Sequence, residues 1–266
     1  MRIMSYNTLF GGFDGIADQR YQAQIDIIRA ADPDILLAQE LKGFLDEGGK
    51  RLFEMERRLE RRALVAPAPV TGQNTAIFVK PDIEILAFES DSVHFHHAAA
   101  IARLRVPGLD QPLTAISVHL CPNGTPVRLR EVSYLYNHAD EDGFAVIGGD
   151  FNSLGPDDPD PVGLESLPAR YRARYVGPDG KMDRRPITAL MQAGFVDVAG
   201  HLRRDPEPTV PGAGFANTEF VPFRSDYVFV TPPLARLAID YAVLRDAATD
   251  AASDHYPIQA DFLRQS

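Results

Sequence analysis

The 266-residue sequence contains one cysteine, Cys121, and no tryptophan. A single thiol cannot close an internal disulfide, so stability must come from the core, and a reducing compartment, by default the cytoplasm, is expected. No segment approaches the roughly 18 apolar residues of a membrane span. The opening MRIMSYNTLF lacks the basic start, long apolar core and small-residue cleavage site of a signal peptide, so no membrane association is expected. Positive charge is scarce too, with 27 Lys+Arg against 37 Asp+Glu and a formal charge of −10. Proteins that grip long nucleic acids usually carry a basic face, which argues against stable duplex binding, although a cation site would itself add carboxylates. No repeat, low-complexity tract or linker divides the chain, and one domain over residues 1–266, acting as a monomer, is expected.

What the sequence does have is a series of short apolar runs that read as strands: Ile3–Tyr6, Ile35–Ala38, Ala76–Val79, Ile83–Phe88, Ile101–Val106, Leu113–Leu120, Phe144–Ile147, Tyr227–Val230, Leu237–Leu244 and Pro257–Phe262. Between some of them lie helical patterns. Asp18–Ala31 carries Tyr21, Ile25 and Ile28 at helical spacing and is stopped by Asp32-Pro33. Arg51–Arg61 places Leu52, Met55 and Leu59 on one face, so its charges read as a solvated face. Val127–Ala139 and Pro186–Ala193 are further helices. Consecutive strands mixed with βα alternation predict an α/β protein with much antiparallel pairing. Residues Leu154–Arg185, rich in Pro, Gly and charge, read as a long surface excursion.

Polar residues punctuate the strands in a pattern. Runs end in Asn7, Glu40 and His119; FAVIGGDFN runs into Asp150 and Asn152; SDYVFV begins with Asp226, and SDHYPI with Asp254 and His255. In a sheet with antiparallel members, the end of one strand and the start of its neighbour share a rim. Such a rim would gather carboxylates, amides and histidines into the kind of pocket that a hard cation and a phosphoester require. Each residue taken alone reads as an ordinary turn or cap, with the glycines of GGDFN serving positive φ; it is their conjunction that points to a site.

Other residues invite a function and are read more plainly. His94, His96 and His97 form an HxHH cluster on one segment, whereas metal sites recruit ligands from several, so a metal role is disfavoured. Cys121 lacks an activating base, so packing is expected. Arg170, Arg172 and Arg174, interleaved with Tyr171 and Tyr175, offer a substrate-binding strip or, in the favoured reading, a solvated loop. Arg128 and Glu131 are expected to pair along their helix.

SYNTLF (5–10), AQE (38–40), QNTAIFV (73–79), SVHL (117–120), GGDFNS (148–153), RSDYVFV (224–230) and SDHYPI (253–258) together resemble the endonuclease/exonuclease/phosphatase superfamily, the DNase I-like fold, in its order and approximate spacing. The resemblance implies a four-layer αββα sandwich: two packed, mostly antiparallel sheets flanked by helices, with the site at one end. It implies Glu40 as principal Mg²⁺ ligand (Mn²⁺ as a substitute), with Asn7 and Asp254 on the metal side. Asp150 would orient or deprotonate water, with Asn152 beside it. His255, held by Asp226, would stabilise the phosphate, and His119 would sit across it. Two departures bear on specificity. Thr8 stands where some repair members have a second acidic residue nearby, and neither a basic aromatic insertion nor a long apolar hairpin is evident.

The expected function is Mg²⁺-dependent hydrolysis of a phosphoester, with a metal-organised water as nucleophile. The expected substrate is a small molecule, a nucleotide or single-stranded nucleic acid. The alternatives are a nuclease of the same family, or a binding or biosynthetic role on the same scaffold.

Overall fold

The computed structural model describes residues 1–215 and 219–265. Its elements run β1 (Arg2–Asn7), α1 (Gln19–Ala31), β2 (Ile35–Gln39), α2 (Lys50–Leu59), β3 (Arg62–Ala66), β4 (Thr75–Val79), β5 (Glu84–Asp91), β6 (Ala99–Arg105), β7 (Leu113–His119), α3 (Thr125–Leu135), β8 (Phe144–Asp150), α4 (Ala169–Tyr175), α5 (Arg185–Gln192), β9 (Val196–Asp197), α6 (Val198–His201), β10 (Asp226–Val230), α7 (Pro232–Ala235), β11 (Ala238–Val243), α8 (Ala247–Ala252) and β12 (Ile258–Phe262). They form two six-stranded sheets, ordered β11-β12-β1-β2-β4-β3 and β5-β6-β7-β8-β10-β9. Among the described residues, the pairings within these sheets are antiparallel except β1–β2 and β7–β8.

Strand alternation explains the layering, because successive side chains leave a strand on opposite faces. Ile3, Ile35, Leu37, Ile77, Ala115, Val146, Val228 and Ile258 meet between the sheets in one core. Their neighbours Met4, Tyr6, Leu36 and Phe78 face outward against Tyr21, Ile25 and Ile28 of α1 and Met55 of α2. On the far side, Ile116, Val118, Ile147 and Phe229 meet Val132 and Leu135 of α3 and Ile187 and Leu190 of α5. The result is the four-layer αββα sandwich, since a strand buried on both faces must be covered on both. No described helix is long and apolar enough to cross a membrane.

Six short elements, β3, α4, β9, α6, α7 and α8, are absent from the sequence reading, and the first three show why. β3 follows α2 with no turn residue to announce it, and only Ala66 among its five residues is buried. β9 has two residues. α4 lies inside what was read as an irregular excursion; ARYRARY carries no apolar stripe, and Tyr175 is its one buried residue.

Gly149 has the positive φ expected of it, +158°, whereas Gly148 does not, and both glycines of GGD have a further reason. A Cβ on Gly148 would come within 2.5 Å of Leu37 on the opposite sheet, and one on Gly149 within 1.9 Å of the Val118 carbonyl. Absence of bulk lets Gly148 meet the opposite sheet and Gly149 lie against its β7 neighbour beneath the site.

Candidate active site

Sheet register does the gathering. In β7–β8 the parallel register sets His119 beside Asp150, and in β8–β10 the antiparallel register sets Asp150 beside Asp226, so three polar residues occupy one rung. In β1–β2, Asn7 stands beside Gln39, the residue before Glu40. β12 pairs with β1 and delivers Asp254 and His255 from just ahead of its first residue. All of the expected catalytic and metal-side residues — Asn7, Glu40, His119, Asp150, Asn152, Asp226, Asp254 and His255 — therefore lie around one buried centre.

Asp150 is the hub. Its Oδ1 accepts hydrogen bonds from the Ser225 hydroxyl at 2.7 Å and the Asn152 backbone N–H at 2.9 Å. Its Oδ2 accepts from the Asn7 and Asn152 side-chain amides, both at 3.2 Å, and lies 3.2 Å from His119 Nε2 and 3.6 Å from His255 Nε2. Burial alone would raise this carboxyl, but His255, His119 and Ser225 hold it below the ordinary carboxylate range. On the other edge of its ring, His255 Nδ1 lies 2.9 Å from Asp226 Oδ2, which also accepts from the Thr209 hydroxyl at 2.6 Å. Burial opposes a charged ring at His255, yet Asp226 and Asp150 outweigh it and raise the imidazole well above its usual range. His119 is raised as well, the hydrogen bond and charge of Asp150 overcoming its burial.

Glu40 caps the neighbouring corner. Its carboxylate accepts from the Phe10 backbone N–H at 3.1 Å and from the Asn7 amide at 3.3 Å. Its backbone φ of +61° is a left-handed value rare for a residue with a side chain; Asn152, at +48°, belongs to a type that tolerates it. Such conformations persist where surrounding structure enforces them, often at functional sites. Asp254 is nearly unpaired, with Ser253 Oγ at 3.4 Å. Burial, opposed by His255 and reinforced by Glu40 and Asp150, pushes its carboxyl up to about 6. Among the described residues no lysine or arginine pairs with Glu40, Asp150 or Asp254. Glu40 and Asp254, which lack the close imidazole partners of Asp150, are a donor set suited to a divalent cation. Atoms of Asp150, Asp226 and His255 lie within 4.8 Å of one another and also form a group that could hold a metal ion. There, however, the Nδ1 of His255 already faces Asp226.

The sequence reading missed several supporting groups. Ser225 and Ser253 sit beside recognised aspartates in RSDYV and SDHY, whereas Thr209 gave no local signal. His97 is the larger omission: its ring stacks on that of His119, with centroids 4.2 Å apart and planes at 17°. Its Nδ1 is fixed 2.9 Å from the Thr71 hydroxyl, and burial, with His119 and His96 nearby, pushes the imidazole down to about 2, so it is neutral. His94, by contrast, pairs with Asp91 at 2.8 Å and stacks on Tyr134, so the HxHH residues do not converge on one point.

One pairing expected from sequence does not form. Arg128 and Glu131 are both fully buried and turn to backbone groups instead: Arg128 donates to the carbonyls of Cys121 and Arg174, and Glu131 accepts from the N–H groups of His96 and Cys121. Arg170, Arg172 and Arg174 form no strip, because two-residue spacing on α4 fans them around the helix. Arg170 borders the cleft beside the site, Arg172 donates to the Glu165 carbonyl at 2.9 Å, and Arg174 pairs with Glu219. Cys121 is buried, and burial raises its thiol, which disfavours a nucleophilic thiolate.

Comparison with known proteins bears on family and fold. The model of the endonuclease/exonuclease/phosphatase family matches residues 4–255, and the chain belongs to that family, whose members are phosphoester hydrolases. No curated protein matches the sequence. Among solved structures, an AP endonuclease from Archaeoglobus fulgidus is 20% identical with a TM-score of 0.68, over 98% of this chain and 99% of that one. A mannosyl-6-phosphatase from Bacteroides thetaiotaomicron is 16% identical with a TM-score of 0.71, over 99% of each chain. The TDP2 protein of D. rerio, complexed with single-strand DNA product, is 16% identical with a TM-score of 0.68, over 98% of this chain and 97% of that one. At these identities the likeness is one of fold.

Proposed function

We propose that the protein is a Mg²⁺-dependent phosphoester hydrolase acting on a small molecule, a nucleotide or a single-stranded end. The observation that carries this reading is the convergence of two raised imidazoles, His119 and His255, on the depressed carboxylate of Asp150, beside the under-compensated Glu40 and Asp254. Glu40, with Asn7 and Asp254, would hold Mg²⁺ or Mn²⁺, which supplies neutralisation of phosphate charge. The Asp150–Asp226–His255 group is the poorer candidate, since a cation there would displace the proton shared between His255 and Asp226.

The remaining steps belong to the chain's own residues. Asp150, ionised and held at both oxygens, orients a water toward phosphorus and accepts its proton as the new P–O bond forms. Protonated His255, aligned by Asp226, donates a hydrogen bond to the phosphoryl oxygen, where charge accumulates. His119, across the site, donates a proton to the departing oxygen as its bond to phosphorus breaks. Asn152, its amide fixed by the Leu120 carbonyl at 3.0 Å, positions the water or a phosphate oxygen.

The test is a panel of aryl phosphate, bis-aryl phosphate, phosphorylated metabolites, RNA, and single-stranded and duplex DNA with Mg²⁺ or Mn²⁺. EDTA and Asp150→Ala serve as controls. Turnover abolished by both controls is expected; activity that survives both would overturn the mechanism, and strong cleavage of duplex DNA would overturn the substrate assignment.

A further inference from the structure

The two imidazoles at the centre are held differently. His255 is met at both edges, its Nδ1 lying 2.9 Å from Asp226 and its Nε2 3.6 Å from Asp150. His119 is met at one: its Nε2 lies 3.2 Å from Asp150, while its buried Nδ1 has no hydrogen-bond partner among the described residues and stands 4.0 Å from Glu40. An imidazole that delivers a proton in one direction needs its ring plane fixed, which an acceptor on the second nitrogen ordinarily does. At His119 that acceptor is missing. What the ring meets instead is the face of His97, with centroids 4.2 Å apart and planes at 17°.

Several features fix that face. The antiparallel β6–β7 register sets Ala99 beside Val118, so the chain just ahead of β6 passes His119. Ala98, which joins His97 to the strand, has a φ of +65°, a left-handed value uncommon for alanine, and its carbonyl accepts from the Thr75 hydroxyl at 3.3 Å. Glu131, fully buried, accepts from the N–H groups of His96 and Cys121, both at 2.8 Å. One carboxylate thus clamps the residue before His97 to the second residue after His119. The Thr71 hydroxyl, 2.9 Å from Nδ1, stops the His97 ring from turning, and burial keeps that ring neutral. Its Nε2 is buried without a partner among the described residues, which is costly, and a core residue present only for bulk would be apolar. What the imidazole offers that an aliphatic side chain does not is a flat, tethered face.

We infer that His97 is a positioning residue for His119, a ring platform that keeps the His119 imidazole in one plane with Nε2 turned toward the reacting centre. This rests on the hydrolase reading above, in which His119 donates its proton to the departing oxygen as the bond from that oxygen to phosphorus breaks. His97 itself transfers no proton and acts through His119 alone.

The experiment compares phenyl and p-nitrophenyl esters that are otherwise alike, with Mg²⁺, for the wild type, His97→Phe and His97→Leu. His97→Met, which fills space without a ring, replaces the leucine variant if that one does not fold. Phenolate is the poorer leaving group and gains more from a proton donor. His97→Leu should lower kcat for the phenyl ester on the order of 10²-fold, as a 1 Å misplacement can. For the p-nitrophenyl ester the loss should be far smaller, and KM should change little for either. His97→Phe keeps a flat face and should restore most of the loss. Adding His97→Leu to His119→Ala should cost nothing more, since the two act as one unit. Equal losses on the two esters, no rescue in His97→Phe, or a full further loss in the double variant would each overturn the platform and leave the hydrolase reading standing. A second measurement needs no turnover. In protein labelled with ¹⁵N-histidine, the Nε2–H of His119 facing Asp150 should give one slowly exchanging signal in the wild type and in His97→Phe, and a broadened or absent one in His97→Leu. An undiminished signal in His97→Leu overturns the platform even if no ester is cleaved.

Discussion

The strand-end half of the site and the wall facing it are held by different means. His119, Asp150 and Asp226 share one rung of a hydrogen-bonded ladder, and Asn7 stands on another, so backbone register fixes their spacing. Among its described residues, the wall formed by 154–185, 206–215 and 219–223 has little ladder of its own: single bridges join Val176 to Met182 and Val210 to Phe223. Side chains hold it instead. Arg224 reaches Asp197 at 2.6 Å and Asp158 at 3.0 Å, and Asp158 accepts from the Tyr227 hydroxyl at 2.6 Å. A small core of Leu154, Tyr175, Met182, Val210, Phe220 and Phe223 lies beneath. Chemistry is thus built on the rigid element, and the surface that meets the rest of the substrate on the adaptable one.

The largest expected effect tests the first half. Asp150→Asn keeps the shape of the hub and removes its charge, so kcat should fall on the order of 10²–10⁴-fold, as loss of a positioned base does. The fold should survive, because the ladder positions the residue, but the melting temperature should fall, since the ionised carboxylate answers the raised imidazoles of His119 and His255. An unfolded variant would show that the hub is chiefly structural, and the contrast between the two halves would fail.

That contrast also explains what could be read from sequence. Strand ends announce themselves: Asn7, Glu40, His119, Asp150 and Asp226 each terminate or begin an apolar run, and ladder register converts that position into proximity. α4 could not be read in the same way, since its stability comes from Tyr175 and from Arg128, which reaches the Arg174 carbonyl at 2.8 Å from 46 residues away. Arg128 and Glu131 illustrate the same limit. Their spacing fits a surface ion pair, and burial, which spacing does not encode, redirects both to backbone partners. His97 was set aside for sound reasons against a metal, and stacking on a distant histidine leaves no trace in local sequence.

The next effect tests the second half. Arg224→Leu leaves Asp158 and Asp197 buried without their cation. Breaking a buried pair in this way costs about 3–5 kcal/mol, or roughly 6–20 °C in a protein of this size. The same substitution loosens the cleft wall, so KM should rise more than kcat falls. A kcat loss rivalling that of Asp150→Asn would mean that the wall positions the reacting groups, and the contrast between the two halves would fail.

The smallest effect is read behind the strand-end half, through His97, which stacks on His119. Folded, this imidazole is pushed down to about 2; unfolded, it titrates near 6.5. Below pH 6.5 the unfolded chain therefore binds a proton that the folded chain refuses, and stability falls with falling pH by at most about 1.4 kcal/mol per unit. His119 and His255, raised in the fold, act in the opposite sense: their contribution is fully present below pH 6.5 and is lost as pH rises through their folded values. The wild-type slope alone is thus a sum, and the difference from His97→Phe isolates the buried ring while keeping a flat face against His119. Urea unfolding at pH 7.5, 6.5 and 5.5 should give curves for the two proteins that diverge toward acid, the variant losing less stability. Parallel curves would mean that folded His97 takes up a proton as readily as the unfolded chain does, and a protonated ring could not lie 4.2 Å above the raised imidazole of His119 without like-charge repulsion.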